Sequence, residues 1–382
     1  MSTPGENYSY EDMRDTRERV LAISSDVLQA YGYMFETNTD VKTTNHDLLF
    51  MISGGVIYED VLAGDEAAPE YPRQASLQRC IRTDGLDKIG VSGRHHVSFD
   101  MLGHFSFYEA DATEARHLAI LPAIEILQQL GIENVFARCH PDDIESRYLL
   151  ESTGMEVLVD TENVHVCNQR RRSGYRVELG RYVDGAPTEM WNIVFTLYEG
   201  VDQSRVPLEV VAFDSGASVD RLVAAVDGAA TNFEADAWVQ SKQSMQELPD
   251  TVANRIADLT RAVCTLQESG VQPGAKKDAY VARKLYTELI RCEMEHPGTD
   301  LAQVVRDVVA AHGFSDVAID AIHMLELERV RIESLIKRGT RHVTTYMARH
   351  GDVIDETGYA YLKDTFGLDS TIVDTIRQAT AN

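Results

Sequence analysis

At Leu248-Pro249 the hydrophobic pattern of this 382-residue chain changes period. Before that point, short apolar runs alternate with clusters of Gly, Asp, Asn and Ser. After it, apolar residues fall almost everywhere at three- and four-residue spacings. The first texture is that of strands and hairpins with interleaved helices, and the second is that of helices alone. An α+β domain over residues 1–248, followed by an all-α domain over 249–382, is the expected organisation.

Within the first part, residues 11–32 carry the spacing of an amphipathic helix. DLLFMISGGVIY (Asp47–Tyr58) reads as a strand-like run that stops at Gly54-Gly55. The segment from Ser76 to Phe107 predicts an antiparallel hairpin with a long, mobile connection, TDGLDKIGVSG. HLAILPAIEILQQLGI predicts a helix closed by Gly131. ENVFARCH and MEVLV predict short strands, and MWNIVFTLYE and LEVVAFDSG longer ones. SVDRLVAAVDG starts a helix behind the last strand.

Composition narrows the function classes. A net charge of −25 lacks the basic footprint of nonspecific nucleic-acid binding. QRRR (Gln169–Arg172) is a local basic cluster whose simplest reading is a solvated loop. No run approaches the roughly 20 apolar residues of a membrane helix. The charged N-terminus has no secretory h-region. The five cysteines (Cys80, Cys139, Cys167, Cys264, Cys292) include no CxxC pair. Those features predict a cytoplasmic protein with reduced thiols and no zinc ribbon.

The densest chemistry lies in RHHVSFDMLGHFSF (Arg94–Phe107). His95 and His96 are adjacent, so on a strand they face opposite ways and make a poor metal pair, and His104 adds a third ligand only by coincidence. Arg82 ends one predicted strand and Arg94 begins the next. Two guanidiniums held together need a shared anion, and their forked donors suit phosphate. His95 and Phe99 share a strand face and offer a donor and a ring. Arg221, where a strand turns into a helix, can lie over a ring and still face phosphate oxygens. Residue types alone leave both a nucleotide site and an ordinary surface strand open.

The run from LQRCIR through RHHVSFDMLGHFSF resembles motif 2 of alanyl-tRNA synthetase, a class II synthetase. HDLLFMISGG, EMWNIVFTLYEG, FDSGASVDRL and ATNFEADAW resemble further segments of that family in order. So do GVQPGAKKDAYVARKL, ELERVRIESLIKRG and YLKDTFGLD in the helical part. The resemblance implies a class II synthetase-like antiparallel sheet flanked by helices. It also implies a catalytic, adenylate-forming domain over 1–248, and a helical domain over 249–382 like the one that meets the tRNA acceptor stem. ATP and Mg²⁺ are the implied cofactors, with no resident metal site. By this resemblance Arg82 contacts the α-phosphate, and Arg94, His95 and Arg221 hold the outer phosphates. Phe99 supports adenine and Asp214 takes the substrate ammonium, while Asn192, Trp191 and Gly216 shape the amino-acid pocket. Lys276, Lys277, Arg283 and Asp364 are the implied acceptor contacts.

The chain departs from that pattern in four places. The motif 2 loop is shorter and lacks a phosphate-facing lysine, for which Lys88 is a candidate substitute. Motif 3 keeps Asp214, Gly216 and Arg221 but changes the residues between them. RSGYRVELGRY aligns with the family only at Gly174 and Glu178. On the acceptor-facing helix, Asp278, Glu288, Glu293 and Glu295 dilute Lys276, Lys277, Arg283, Lys284 and Arg291, and Ala275 or a neighbour replaces an asparagine. The family's zinc-bearing editing domain has no counterpart in these residues, and no zinc is expected. The leading expectation is therefore an enzyme that activates a small amino acid, alanine first, and passes it to an acceptor that need not be tRNA: a carrier protein or a biosynthetic small molecule. A truncated alanine–tRNA ligase and a non-catalytic regulatory relative are the two alternatives.

Overall fold

The computed structural model describes residue 13 and residues 15–45, 47–67, 69–167, 172–201 and 204–381. All but Arg172 of the QRRR cluster lies outside them. The chain divides into two compact units, Met1–Asp84 with Ser98–Ala235, and Gly85–Val97 with Asp236–Asn382. The second unit thus starts ahead of residue 248 and includes the loop between the two hairpin strands.

In the first unit the strands are β1 (Met34–Asn38), β2 (Arg73–Ile81), β3 (Ser98–Glu109), β4 (Val135–Cys139), β5 (Glu156–Val159), β6 (Val164–Cys167), β7 (Arg172–Val183), β8 (Ala186–Glu199) and β9 (Val206–Ser218). They form one sheet in the order β1-β2-β3-β9-β8-β7-β4-β5, with β6 paired to β7. Pairing is antiparallel except for β1 with β2 and β4 with β5. The helices are α1 (Thr16–Ala30), α2 (Glu59–Ala63), α3 (Ala112–Gln129), α4 (Ile144–Ser152) and α5 (Val219–Val226).

Local signals set the helix ends. Asp15 accepts from the backbone N–H of Arg17 at 2.8 Å, and Asp111 from that of Thr113 at 2.8 Å, which satisfies donors that a helix start leaves open. Gly131 follows α3 at φ 72°, a conformation glycine adopts without penalty. Helices α1, α3 and α5 cover one face of the sheet. Val20, Ile23, Ile120, Leu127 and Leu222 pack there against Leu77, Leu102, Trp191, Ile193, Phe195 and Phe213. Each such side chain contributes about 1.5–3 kcal/mol by leaving water.

Two expectations need correction. Residues 47–53 form no strand, and Gly54–Tyr58 is a 3₁₀ turn leading into α2. Its glycines bring backbone against the uncovered face of the sheet, where a Cβ on Gly54 would stand 3.1 Å from the Phe105 ring and 3.2 Å from Ser76 Oγ. A strand's alternating side chains have no room in that position. The hairpin connection is also fastened rather than loose. The Arg255 guanidinium donates to Leu86 O at 2.7 Å. Asp258 holds the His96 ring at 2.6 Å and accepts the Val97 N–H at 2.9 Å, all within the second unit. Gly90, at φ 81°, lies so close to the backbone of Thr251 and Arg255 that a side chain would collide with it.

The second unit also contains α6 (Asp236–Ser241), α7 (Asp250–Glu268), α8 (Lys277–Glu295), α9 (Leu301–His312), α10 (Ala318–His350), α11 (Glu356–Phe366) and α12 (Ser370–Ala381). Its interior is built from residues such as Trp238, Ile256, Leu259, Tyr286, Leu289 and Val304, all at most 2% exposed. Among the described residues no helix is long and apolar enough to cross a membrane.

Candidate active site

The sheet face opposite α1, α3 and α5 is where the first unit's chemistry gathers. Strand alternation fixes which residues reach it. On β9, Phe213, Ser215 and Ala217 point to the helix-covered core, which leaves Asp214, Gly216 and Ser218 on the open face. Asn192 on β8 pairs with Gly216 and, on its other side, with Glu178 of β7. Asp214 pairs with Phe105 of β3 and Val194 of β8. On β2, Gln74, Ser76 and Gln78 face the same way, and Ser76 pairs with Gly103.

Asp214 is the most perturbed acid on this face. Burial away from water pushes its carboxyl up to about 7, and hydrogen bonding to its own backbone only partly opposes that. Gly55 brings backbone alongside it, since a Cβ there would lie 3.3 Å from Asp214 Oδ2. Among the described residues, Asn192 Oδ1 and Ser76 Oγ are buried without a hydrogen-bond partner. Gly216 has no side chain to spare, because a Cβ would stand 2.8 Å from Met101 Sδ. A desolvated carboxyl beside an unpaired amide oxygen is an arrangement that a cationic, hydrogen-donating group would complete.

Arg82 and Phe99 are brought together. The exposed Arg82 guanidinium lies over the Phe99 ring, 5.0 Å from its centroid, and its Nε donates to Ile52 O at 2.8 Å. Arg221, in the first turn of α5, donates to Glu189 O at 3.0 Å and reaches the Glu189 carboxylate at 3.5 Å. Glu178 is ion-paired to Arg138 at 2.8 Å, and burial followed by the nearby Glu189 charge raises its carboxyl. Arg94 and His95 are exposed and fall in the second unit, where Ser92 Oγ accepts both of their backbone N–H groups and meets His95 Nδ1 at 2.7 Å.

Trp191 requires correction as a pocket residue. It is fully buried in the core, its ring edge-on to His104 at 5.8 Å, on the face opposite its neighbour Asn192. Two adjacent strand residues cannot line one pocket. His96 and His104 are each engaged within their own unit. His96 stacks on Trp238 at 4.7 Å in the second unit. His104 is enclosed in the first, between Ser215 Oγ at 2.6 Å and Ala119 O at 2.9 Å. Burial lowers the His104 pKa to about 4, so it is a neutral core residue.

Of the acceptor candidates, Lys276, Lys277 and Asp364 are exposed. Arg283 is partly buried, bonded to Pro273 O at 3.4 Å and facing Glu328 at 3.6 Å. Sequence reasoning missed Ser76 and its row. The alternation of Gln74, Ser76 and Gln78 with Ala75 and Leu77 carried that signal.

The model of the family described as tRNA synthetases class II (A) matches residues 35–381. The alanine–tRNA ligase of Desulfitobacterium hafniense is 26% identical over 365 residues, covering 84% of this chain and 41% of the relative. That of Magnetococcus marinus is 26% identical and covers 93% and 45%. That of Methylococcus capsulatus is 30% identical over 283 residues and covers 66% and 32%. The chain thus spans less than half the length of these curated relatives. Among solved structures, apo S. aureus histidyl-tRNA synthetase matches with TM-score 0.38 at 10% identity, over 59% of this chain and 74% of that one. With the family model running through both units, the chain belongs to the class II (A) tRNA synthetases.

Proposed function

We propose that the chain is an ATP-dependent ligase that activates a small amino acid, alanine first, to an aminoacyl adenylate and transfers the acyl group to tRNA. The observation that carries this reading is Asp214, a desolvated carboxyl with a proton affinity near neutrality, set beside Asn192 and Gly216. An α-ammonium group would supply the missing charge and keep the carboxyl ionised. Arg82 would neutralise the α-phosphate as the amino-acid carboxylate forms its bond to phosphorus and pyrophosphate departs. Phe99 would flank the adenine, and Arg221 would exchange Glu189 for phosphate oxygens. Mg²⁺ would travel on the phosphates and supply charge neutralisation there. Glu178 and Glu189 would be the acids to assist it, one or two carboxylates being what such an ion takes from protein.

Amino-acid-dependent exchange of pyrophosphate with ATP, run across small amino acids, tests the reading. Exchange with alanine is expected, and no exchange with any of them rejects it in favour of a non-catalytic relative.

A second reading, transfer to an acceptor other than tRNA, is favoured by α8. That helix carries four basic residues (Lys277, Arg283, Lys284, Arg291) and four acidic ones (Asp278, Glu288, Glu293, Glu295), a net charge of zero. Arg291 is held by Glu288 at 2.6 Å and Glu295 at 2.5 Å. A cation neutralised in this way has less to offer an RNA phosphate, which weakens binding and flattens its salt dependence. Adenylate formation without charging of alanine tRNA at low salt would select this second reading.

A further inference from the structure

The second half of α10 breaks with the acidity of the rest of the chain. From Lys337 to Gly351 the sequence KRGTRHVTTYMARHG holds Lys337, Arg338, Arg341 and Arg349 and no acid, in a protein with 61 acidic and 36 basic residues. Arg341 and Arg349 lie eight apart on one helical face, and His342 and Tyr346 lie four apart on the adjoining row. Across from them, α11 offers Tyr361 and Phe366. Together these side chains line an open groove of about 650 Å³.

The groove is built from rings and guanidiniums. His342 stacks on Phe366 at 3.9 Å, Tyr346 faces Tyr361 at 5.8 Å, and Tyr361 meets Phe366 edge-on at 5.8 Å. Gly358 permits this geometry, because a Cβ there would stand 2.6 Å from Tyr346 Oη. Tyr361 remains 49% exposed. Among the described residues, no carboxylate pairs with Arg341 or Arg349, in contrast to the bridged Arg291 of α8. Glu356 and Asp364, also on α11, do not line the groove.

Exposed rings favour a planar partner, and unneutralised forked donors favour phosphate. The volume falls within the roughly 300–1,000 Å³ range of small-molecule pockets. We propose that this groove binds a nucleoside monophosphate, or a ligand of that chemistry, with its base against Tyr361 and Phe366 and its phosphate on Arg341 and Arg349. This site lies wholly in the second unit and does not depend on the adenylation reading.

Equilibrium dialysis of the full chain against labelled AMP, GMP and UMP tests it, with inorganic phosphate as competitor. The doubly substituted Arg341→Ala/Arg349→Ala chain should bind at least about tenfold more weakly at this site. Tyr361→Ala should weaken binding about fivefold or more through lost stacking. Arg341→Lys/Arg349→Lys, which keeps charge and fold but loses the fork, should fall between. Pyrophosphate exchange should be unchanged in all three, and that separates this site from the one on the sheet. Nucleotide binding that none of the three variants alters overturns the proposal. So does inorganic phosphate binding as tightly as a nucleotide, which means an adventitious ion only. Failure of mononucleotides to bind, with a short RNA hairpin bound through Arg341 and Arg349 on a steep salt slope, replaces the small ligand by a polyanion and also overturns it.

Discussion

The two faces of one sheet treat their buried titratable groups in opposite ways. On the helix-covered face His104 has both ring nitrogens occupied, by Ser215 Oγ and Ala119 O, within an otherwise apolar core. On the open face, among the described residues, Asp214 is withdrawn from water with only its own backbone to hydrogen-bond it, and Asn192 Oδ1 and Ser76 Oγ have no partner. A polar group left so costs about 1–3 kcal/mol, which folding does not recover. On the proposed function, the second face would keep its interactions in reserve for a ligand. The contrast can be broken by mutating each face and reading activity and stability separately.

The largest effect is expected at Arg82. Arg82→Ala should lower the pyrophosphate-exchange rate by about 10²–10³-fold, the loss typical of a single charge-stabilising donor. The melting temperature should move little, because the side chain is exposed. A variant that exchanges normally would remove Arg82 from the reaction.

Asp214→Asn should separate function from stability more sharply. The amino-acid KM should rise by roughly 10²-fold, a charge pair's worth of binding. Stability should move the other way. The Asp214 folded-state pKa, about 7, lies above the unfolded value of 3.8, so ionisation penalises the fold. That penalty is absent below the unfolded value, grows as pH rises, and is complete above about 7. The asparagine variant should thus gain on the order of 4 kcal/mol at pH 8 and close to nothing at pH 3, below the unfolded pKa. In the unsubstituted chain, amino-acid kcat/KM in the proposed reaction should fall as pH drops through 7. Denaturant titrations at the two pH values, with KM alongside, check all of this.

His104 should behave as the mirror image. Its folded pKa, about 4, lies below the ordinary 6.5, so its contribution is complete above 6.5 and is lost as pH falls towards 4. His104→Leu should cost roughly 2 kcal/mol at pH 7, because the Ser215 hydroxyl and Ala119 O both lose the ring they bond while Ser215 Oγ keeps only the backbone N–H of residue 104, and should flatten the acid limb of the stability profile. Exchange kinetics should be close to unchanged. A large rise in KM with intact stability would mean that the core face participates in binding.

Much of this contrast was legible in the sequence, unevenly and for identifiable reasons. β3, β8, β9 and the helices after residue 248 follow their apolar periods because packing rewards those periods. Asp214 and Asn192 could be picked out by resemblance, but only the pairing of Asn192 with Gly216, two residues on from Asp214, puts them on one face. The 3₁₀ turn at Gly54–Tyr58 was not legible: its apolar run reads as a strand until Phe105 and Ser76 are known to lie beneath it. Nor was the fastening of the hairpin connection, since Asp258 lies 162 residues from His96 and no local pattern announces that pairing.

Trp191 is the smallest and most discriminating test, because the sequence itself contained the answer. It adjoins Asn192, and on a strand the two must diverge. Trp191 Nε1 is buried on the core face with no hydrogen-bond partner among the described residues. Trp191→Phe therefore removes an unsatisfied donor while leaving a modest void. These effects oppose each other and should net within about 1 kcal/mol of the parent stability. Amino-acid KM should stay within twofold, on the order of experimental scatter, because the ring points away from Asp214. A tenfold change in KM with unaltered stability would mean that the indole reaches the substrate after all, and the division of labour between the two faces would fail at its centre.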